Sequence, residues 1–137
     1  MSTRCQTKIV GADFEKDEAI TLYHHCDGYP SNMVPLIASA YAPDWQHGRV
    51  GKAAAYVIAT DPGGFEPESS HELHGDIEWY YVLSISSQGH TADVPKWNLT
   101  VYDVPYEAQA VSDMRKVYDG PIDKAVALAD SMEETEE

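Results

Sequence analysis

Residues 76–86 alternate more strictly than the rest of the chain: Ile77, Trp79, Tyr81, Leu83 and Ile85 share one parity, and Glu78, Tyr80, Val82 and Ser84 the other. Successive side chains of a strand point to opposite faces, so this run demands a sheet with one apolar buried face and one wetter face. Gln88-Gly89-His90 begins a turn, and residues 96–104 return as a second strand with Trp97, Leu99 and Val101 inward. Together they predict an antiparallel hairpin.

A second hairpin is expected near the beginning. Residues 5–10 and 19–25 are β-rich and flank the polar stretch 11–18; centring the turn between Glu15 and Lys16 sets Cys5 opposite Cys26. Asp27-Gly28-Tyr29-Pro30 stops the second strand. A helix follows, capped by Ser31 or Asn32, with Pro35 tolerated only in its first turn. Its inward face is Met33, Leu36, Ile37, Ala40 and Tyr41, and Pro43 ends it. Residues 49–60 form another helix, with Val50, Ala53, Ala54, Val57 and Ile58 as the buried stripe and an alanine run of high helix propensity. Asp61-Pro62-Gly63-Gly64 breaks it, and a polar loop runs to Ser70.

The last third carries weaker patterns. Residues 106–112 are read as a short helix, and 114–118 as a strand ended by Asp119-Gly120. Residues 121–132 are read as a helix with Pro121 first and Ile122, Ala125, Val126 and Ala129 inward. The expected fold is α+β: an antiparallel sheet built from a hairpin, two helices, a hairpin and a C-terminal helix, with the helices mostly on one face. Residues 1–132 form a single domain, and 133–137 an acidic frayed tail.

Charge narrows the partners. Nine Lys and Arg against 23 Asp and Glu give a net charge of −14. Such a surface repels phosphate backbones and anionic lipid, which argues against direct nucleic-acid and membrane binding. The acidity suits solubility, a salty habitat, or a basic partner, of which a nucleic-acid mimic is the sharpest form. No stretch approaches the roughly 20 apolar residues of a membrane helix. No signal peptide is read at the N-terminus, and the expected location is the cytoplasm with Cys5 and Cys26 reduced.

Four of the six histidines fall in two groups, His24-His25-Cys26-Asp27 and His71-Glu72-Leu73-His74-Gly75-Asp76. If their strands were antiparallel neighbours, the groups would meet at one sheet edge, where imidazoles and carboxylates bind metals or move protons. His24, His25, Asp27, His74 and Asp76 are thus the catalytic candidates, and His25, His74 and Asp76 the metal candidates. The bland reading is that these residues tie down strand ends. Adjacent His24 and His25 point to opposite faces, and His71 and His74 are one residue short of the His-Glu-x-x-His zinc helix. Asp27, Gly28 and Tyr29, with His74 and Asp76, are the candidate ligand contacts, since Gly28 permits close backbone approach and the following helix N-terminus offers N–H groups to an anion. No cofactor motif is present, and no cofactor is expected.

Thr3-Arg4-Cys5, Leu22-Tyr23-His24-His25-Cys26-Asp27-Gly28-Tyr29-Pro30 and His74-Gly75-Asp76-Ile77-Glu78-Trp79-Tyr80-Tyr81-Val82 occur in that order. In these blocks the chain resembles a group of small uncharacterised proteins of bacteria, phages and prophages, and the Tyr-His-x-x-Asp-Gly-Tyr-Pro block is the most specific. The resemblance implies a mobile-element origin and a host cytoplasm. The expected function is non-enzymatic binding of a host protein, for instance one of a defence complex, or of a small nucleotide. Spare aromatics and an open sheet edge leave room for a homodimer. The alternatives are a metal-dependent hydrolase using the His/Asp cluster and a structural component of a virion or assembly.

Overall fold

The computed structural model describes residues 3–12, 17–41, 49–86 and 96–133. Its strands are β1 (Cys5–Gly11), β2 (Ala19–His24), β3 (Phe65–Pro67), β4 (Trp79–Ser86), β5 (Lys96–Asp103) and β6 (Arg115–Pro121). Its helices are α1 (Pro30–Ser39), α2 (Val50–Ala59) and α3 (Ile122–Met132). The strands form one sheet in the order β3-β2-β1-β4-β5-β6. All neighbours are antiparallel except β1 and β4, which run parallel down the centre. The α+β class holds, with this central parallel seam as the departure from a purely antiparallel sheet.

One face of the sheet carries Cys5, Ile9, Leu22, Phe65, Tyr81, Leu83, Ile85, Trp97, Leu99 and Val101, and the three helices lay their apolar stripes on it. These positions follow the alternation expected for 76–86 and 96–104. From α1 come Met33, Val34 and Ile37, with Ala40 just past its end, and from α2 Val50, Ala53, Ala54 and Val57. On α3 the buried residues are Ile122, Ala125, Ala129 and Met132. Val126, expected inward, is 43% exposed, because the stripe of this helix continues to Met132 instead.

The second face is not simply wet. Tyr23, Ile77 and Tyr80 are buried there with Leu73, Val82 and Tyr102 against them. The cover is the connection from β3 to β4, which must pass β2 and β1 to reach its place in the sheet. Ile77 therefore packs with this second cluster and not with Trp79 and Tyr81 as its parity suggested, since the strand begins only at Trp79.

Several boundaries move for physical reasons. The first hairpin pairs Cys5 with His24 and Val10 with Ala19, so Cys26 is not opposite Cys5. Cys5 is buried and Cys26 exposed, and neither is in a disulfide. Helix α1 begins at Pro30 with Tyr29 as its cap residue, which leaves Pro35 inside the helix, on its exposed side. Proline suits the first helical position because its missing N–H has no partner there. The stretch read as a polar loop contains β3, whose three residues pair with Leu22, Tyr23 and His24. Residues 111–113 form a single 3-10 turn where a longer helix was expected, and β6 runs through Asp119-Gly120 to Pro121. The turn of the first hairpin at Glu15 and Lys16, Pro43, and the turn at Gln88-Gly89-His90 lie outside the described residues, as does the tail beyond Glu133.

Glu133 itself is docked: its carboxylate accepts the Ser31 N–H at 2.6 Å. A carboxylate at a helix N-terminus satisfies an orphan donor and opposes the positive end of the helix dipole. The anion position anticipated at the start of α1 is thus filled by the chain's own α3 end.

Both sheet edges are blunted. Strand β3 has three residues and ends in Pro67. Strand β6 presents Arg115 and Lys116, has an irregular register against Val101 and Tyr102, and ends in Pro121. Short edges, basic residues, bulges and prolines all discourage strand addition.

Candidate functional site

The strand period separates the two adjacent histidines, as their parity required. His24 faces the helices and is 4% exposed, whereas His25 is exposed to solvent. His24 Nδ1 lies 2.5 Å from the Cys26 carbonyl oxygen, and Nε2 lies 2.7 Å from Asp61 Oδ2. Its ring also meets Phe65 edge-on at 4.7 Å. Both ring nitrogens are therefore taken, and His24 has no free nitrogen with which to reach a substrate or a metal. It clasps the end of β2 to the α2–β3 turn. A Cβ on Gly64 would run into the Asp61 carboxylate and come within 2.7 Å of His24 Nε2. Gly64 is the residue that lets this pair form.

The Asp27-Gly28-Tyr29-Pro30 turn is explained in the same way. Asp27 has φ 54°, a left-handed conformation that Asp tolerates better than most residues. Asn32 Nδ2 donates to the Asp27 carbonyl at 2.8 Å. The Gly28 N–H donates to Thr3 O at 2.8 Å, and the buried Tyr81 hydroxyl donates to Gly28 O at 2.6 Å. A Cβ there would stand 2.9 Å from both Cys5 Cβ and Thr3 O. Gly28, expected as a ligand contact, is buried against β1 and its two backbone polar groups are spent. Tyr29 reaches back to Asp27 Oδ1 at 3.4 Å.

The second histidine group lies on the β3–β4 connection, which is tied across the outer face by polar contacts. The key is Gln6, fully buried on β1. Its amide nitrogen donates to Glu72 O at 3.0 Å and to Glu68 Oε1 at 3.3 Å, and its amide oxygen accepts the His74 N–H at 2.9 Å. His71 Nδ1 lies 2.6 Å from Thr21 Oγ1. His74 Nε2 bonds Glu68, and its ring stacks on Tyr23 with centroids 4.4 Å apart. The Tyr23 hydroxyl donates to Asp76 Oδ2 at 3.3 Å. Burial, then the charge of Asp76, raises the phenol of Tyr23 above its ordinary range.

Of the five catalytic candidates, the fold brings His25, His74 and Asp76 to one corner and leaves His24 and Asp27 apart from it. The two groups do meet, but not across neighbouring strands: β1 lies between β2 and β4. What joins them is Arg4, just before β1. Its Nε lies 3.3 Å from His25 Nδ1 and 3.3 Å from Asp76 Oδ2. A guanidinium stands at the centre of the cluster, where a metal was considered. Among the described residues, no group of three or more His, Cys, Asp or Glu side chains could hold a metal ion.

Sequence reasoning missed Arg4, Gln6, Tyr23 and Glu68 as parts of this corner. Arg4 and Tyr23 stood inside the recognised blocks without a role. Gln6 and Glu68 carried one available signal each, a polar residue within an apolar strand and a carboxylate six residues before His74.

At the same strand end lies an open cavity of about 420 Å³, lined by His25, Asp27, Asn32, Asp61 and Glu66 among others. Three of those five bear carboxylates, so the cavity suits cationic or hydrogen-bond-donating groups. No protein-family model, curated protein or solved structure matches the chain.

Proposed function

We propose that the chain is a non-enzymatic binding protein of a phage or mobile element that acts in the host cytoplasm on a protein with a basic surface. The observation that carries this reading is the division of labour among the polar groups. His24 spends both nitrogens on holding the fold, one of them on Asp61, while Asp27 and Glu66 line an open cavity in a chain of net charge −14. Acidic clefts steer and select basic partners more than they perform chemistry. The resemblance in the Tyr-His-x-x-Asp-Gly-Tyr-Pro block supports the mobile-element origin. That block is occupied chiefly by turn-forming and clasping residues, as suits a scaffold for a surface.

The test compares wild type with an Asp27→Asn/Glu66→Gln variant, both immobilised and exposed to host lysate at low and high salt. Both substituted residues are exposed, so the fold should persist. A basic host protein held by the wild type, released by salt and not held by the variant is the expected result. Retention that is indifferent to salt and to the two substitutions overturns the proposal.

A further inference from the structure

The corner around Arg4 has a chemistry that an acidic, protein-binding surface does not need. Arg4 is only 34% exposed in its side chain and is held by one nitrogen: Nε faces both Asp76 Oδ2 and His25 Nδ1 at 3.3 Å. That one N–H hydrogen-bonds His25 and pairs in charge with Asp76. The Nη donors of the same guanidinium have no acceptor among the described residues. The planar Nη fork is the protein group that best matches a phosphate or carboxylate in two-point contact.

His25 touches it, and both His25 and His74 lie against Tyr23, with ring centroids 6.2 and 4.4 Å away. His25 Nδ1 accepts from Arg4, which leaves that ring's own N–H on Nε2, on an exposed side chain. His74 is held from below: Tyr23 covers one ring face, Glu68 holds Nε2, and Gln6 holds both Glu68 and the His74 backbone. Its side chain is 40% exposed, and its Nδ1 has no partner among the described residues. A guanidinium fork, an outward imidazole N–H and a fixed aromatic ring are the parts used to hold a phosphate and stack a base.

We propose that the Arg4–His25–His74 corner binds a mononucleotide, its phosphate on the Arg4 fork and His25 Nε2 and its base stacked on the His74 ring. The acidity of the chain limits the ligand to a small one. Screening over about 8 Å at physiological salt removes most of the distant repulsion, but a long polyanion would lie along the whole acidic surface. Two carboxylates at the corner are already engaged, Asp76 by Arg4 and Tyr23, and Glu68 by Gln6 and His74, while Glu66 lies beside Tyr23 across the sheet. The site shares His25 with the lining of the acidic cavity, but Arg4 and His74, its other two contacts, lie outside that lining.

Calorimetric titration with AMP, GMP, CMP and UMP, and with inorganic phosphate, tests it directly. At least one nucleotide should bind saturably and more tightly than phosphate, and the His25 and His74 ring resonances should shift on binding. Arg4→Gln should weaken binding about tenfold or more, since bonds to charged groups contribute about 1.5–3 kcal/mol. Arg4→Lys, which keeps the charge but not the fork, should recover only part of the loss. Circular dichroism establishes that both variants are folded, and Lys8→Gln on β1 should bind as wild type does. Flat titrations with all four nucleotides overturn the site. So does undiminished binding by folded Arg4→Gln, and phosphate binding as tight as nucleotide overturns the base-stacking half. These titrations use wild type and the Arg4 and Lys8 variants only, so the outcome of the Asp27→Asn/Glu66→Gln comparison with host lysate is read independently of them.

Discussion

His24 Nε2 and Asp61 Oδ2 lie 2.7 Å apart, across the seam between the end of β2 and the turn after α2. The geometry depends on the bare backbone of Gly64. Gly64→Ala should therefore displace the Asp61 carboxylate and lower stability by about 1–3 kcal/mol, the usual cost of forcing an atom into a filled space. A fall in the urea midpoint with an unchanged slope is the expected outcome. Wild-type stability in the variant would mean that the His24–Asp61 contact adjusts at no cost.

Gln6 bonds the outer connection at three points. Gln6→Leu keeps the bulk but leaves Glu72 O and the His74 N–H without their partner, and should cost about 2–4 kcal/mol, summing two unsatisfied groups at about 1–3 each and allowing for relaxation. Amide exchange at His74 should accelerate far more than exchange in β5, and proteases should cut first within residues 68–76. Uniform acceleration throughout the sheet would show that the connection and the sheet open as one unit.

Thr7 offers the opposite case. Its hydroxyl is buried and has no hydrogen-bond partner among the described residues. Thr7→Val replaces that hydroxyl with a methyl of similar shape and should stabilise the chain by about 1 kcal/mol. A loss of stability in thermal or urea unfolding would reveal a partner for the hydroxyl.

Burial pushes the Cys5 thiol far up, and burial with the nearby Cys5 and Glu133 pushes the Tyr81 phenol well up. The folded chain holds these protons above about pH 8.5 and pH 10, where an unfolded thiol and phenol release theirs. The unfolded state then binds fewer protons, so stability falls as pH rises. The contribution is whole below about pH 8 and is lost as pH climbs through that window toward the folded-state values. Urea midpoints should decline steadily above about pH 8.5. A thiol reagent at neutral pH should modify Cys26 in the folded protein and both thiols only after unfolding. Labelling of both at equal rates would contradict the buried position of Cys5.

How much of this could be read from the residues depends on the range over which each pattern acts. The β4–β5 hairpin was legible because Tyr81, Leu83, Ile85, Trp97, Leu99 and Val101 obey a local period of two. The same rule separated His24 from His25. Strand β3 was not legible: Phe65-Glu66-Pro67 is too short to show a period, and it is a strand only because β2 lies beside it. The hairpin register missed by two residues because nothing in a long polar turn marks its centre. The corner at Arg4 was half visible. Its histidines and Asp76 stood out as titratable groups, but the strand that joins them by way of Arg4 is placed by the parallel β1–β4 pairing, a contact that no local pattern announces.

That pairing also orders events in time. Cys5 lies beside Trp79, so the central seam joins segments made some seventy residues apart. At synthesis rates of about 5–20 residues per second, the first hairpin waits roughly 3–12 s on the ribosome before its inner neighbour exists. Through that interval the inner edge of β1, later the best-protected part of the sheet, is open to any extended strand nearby. The long contact that makes the folded centre secure is thus the one that leaves the growing chain most exposed to misassociation.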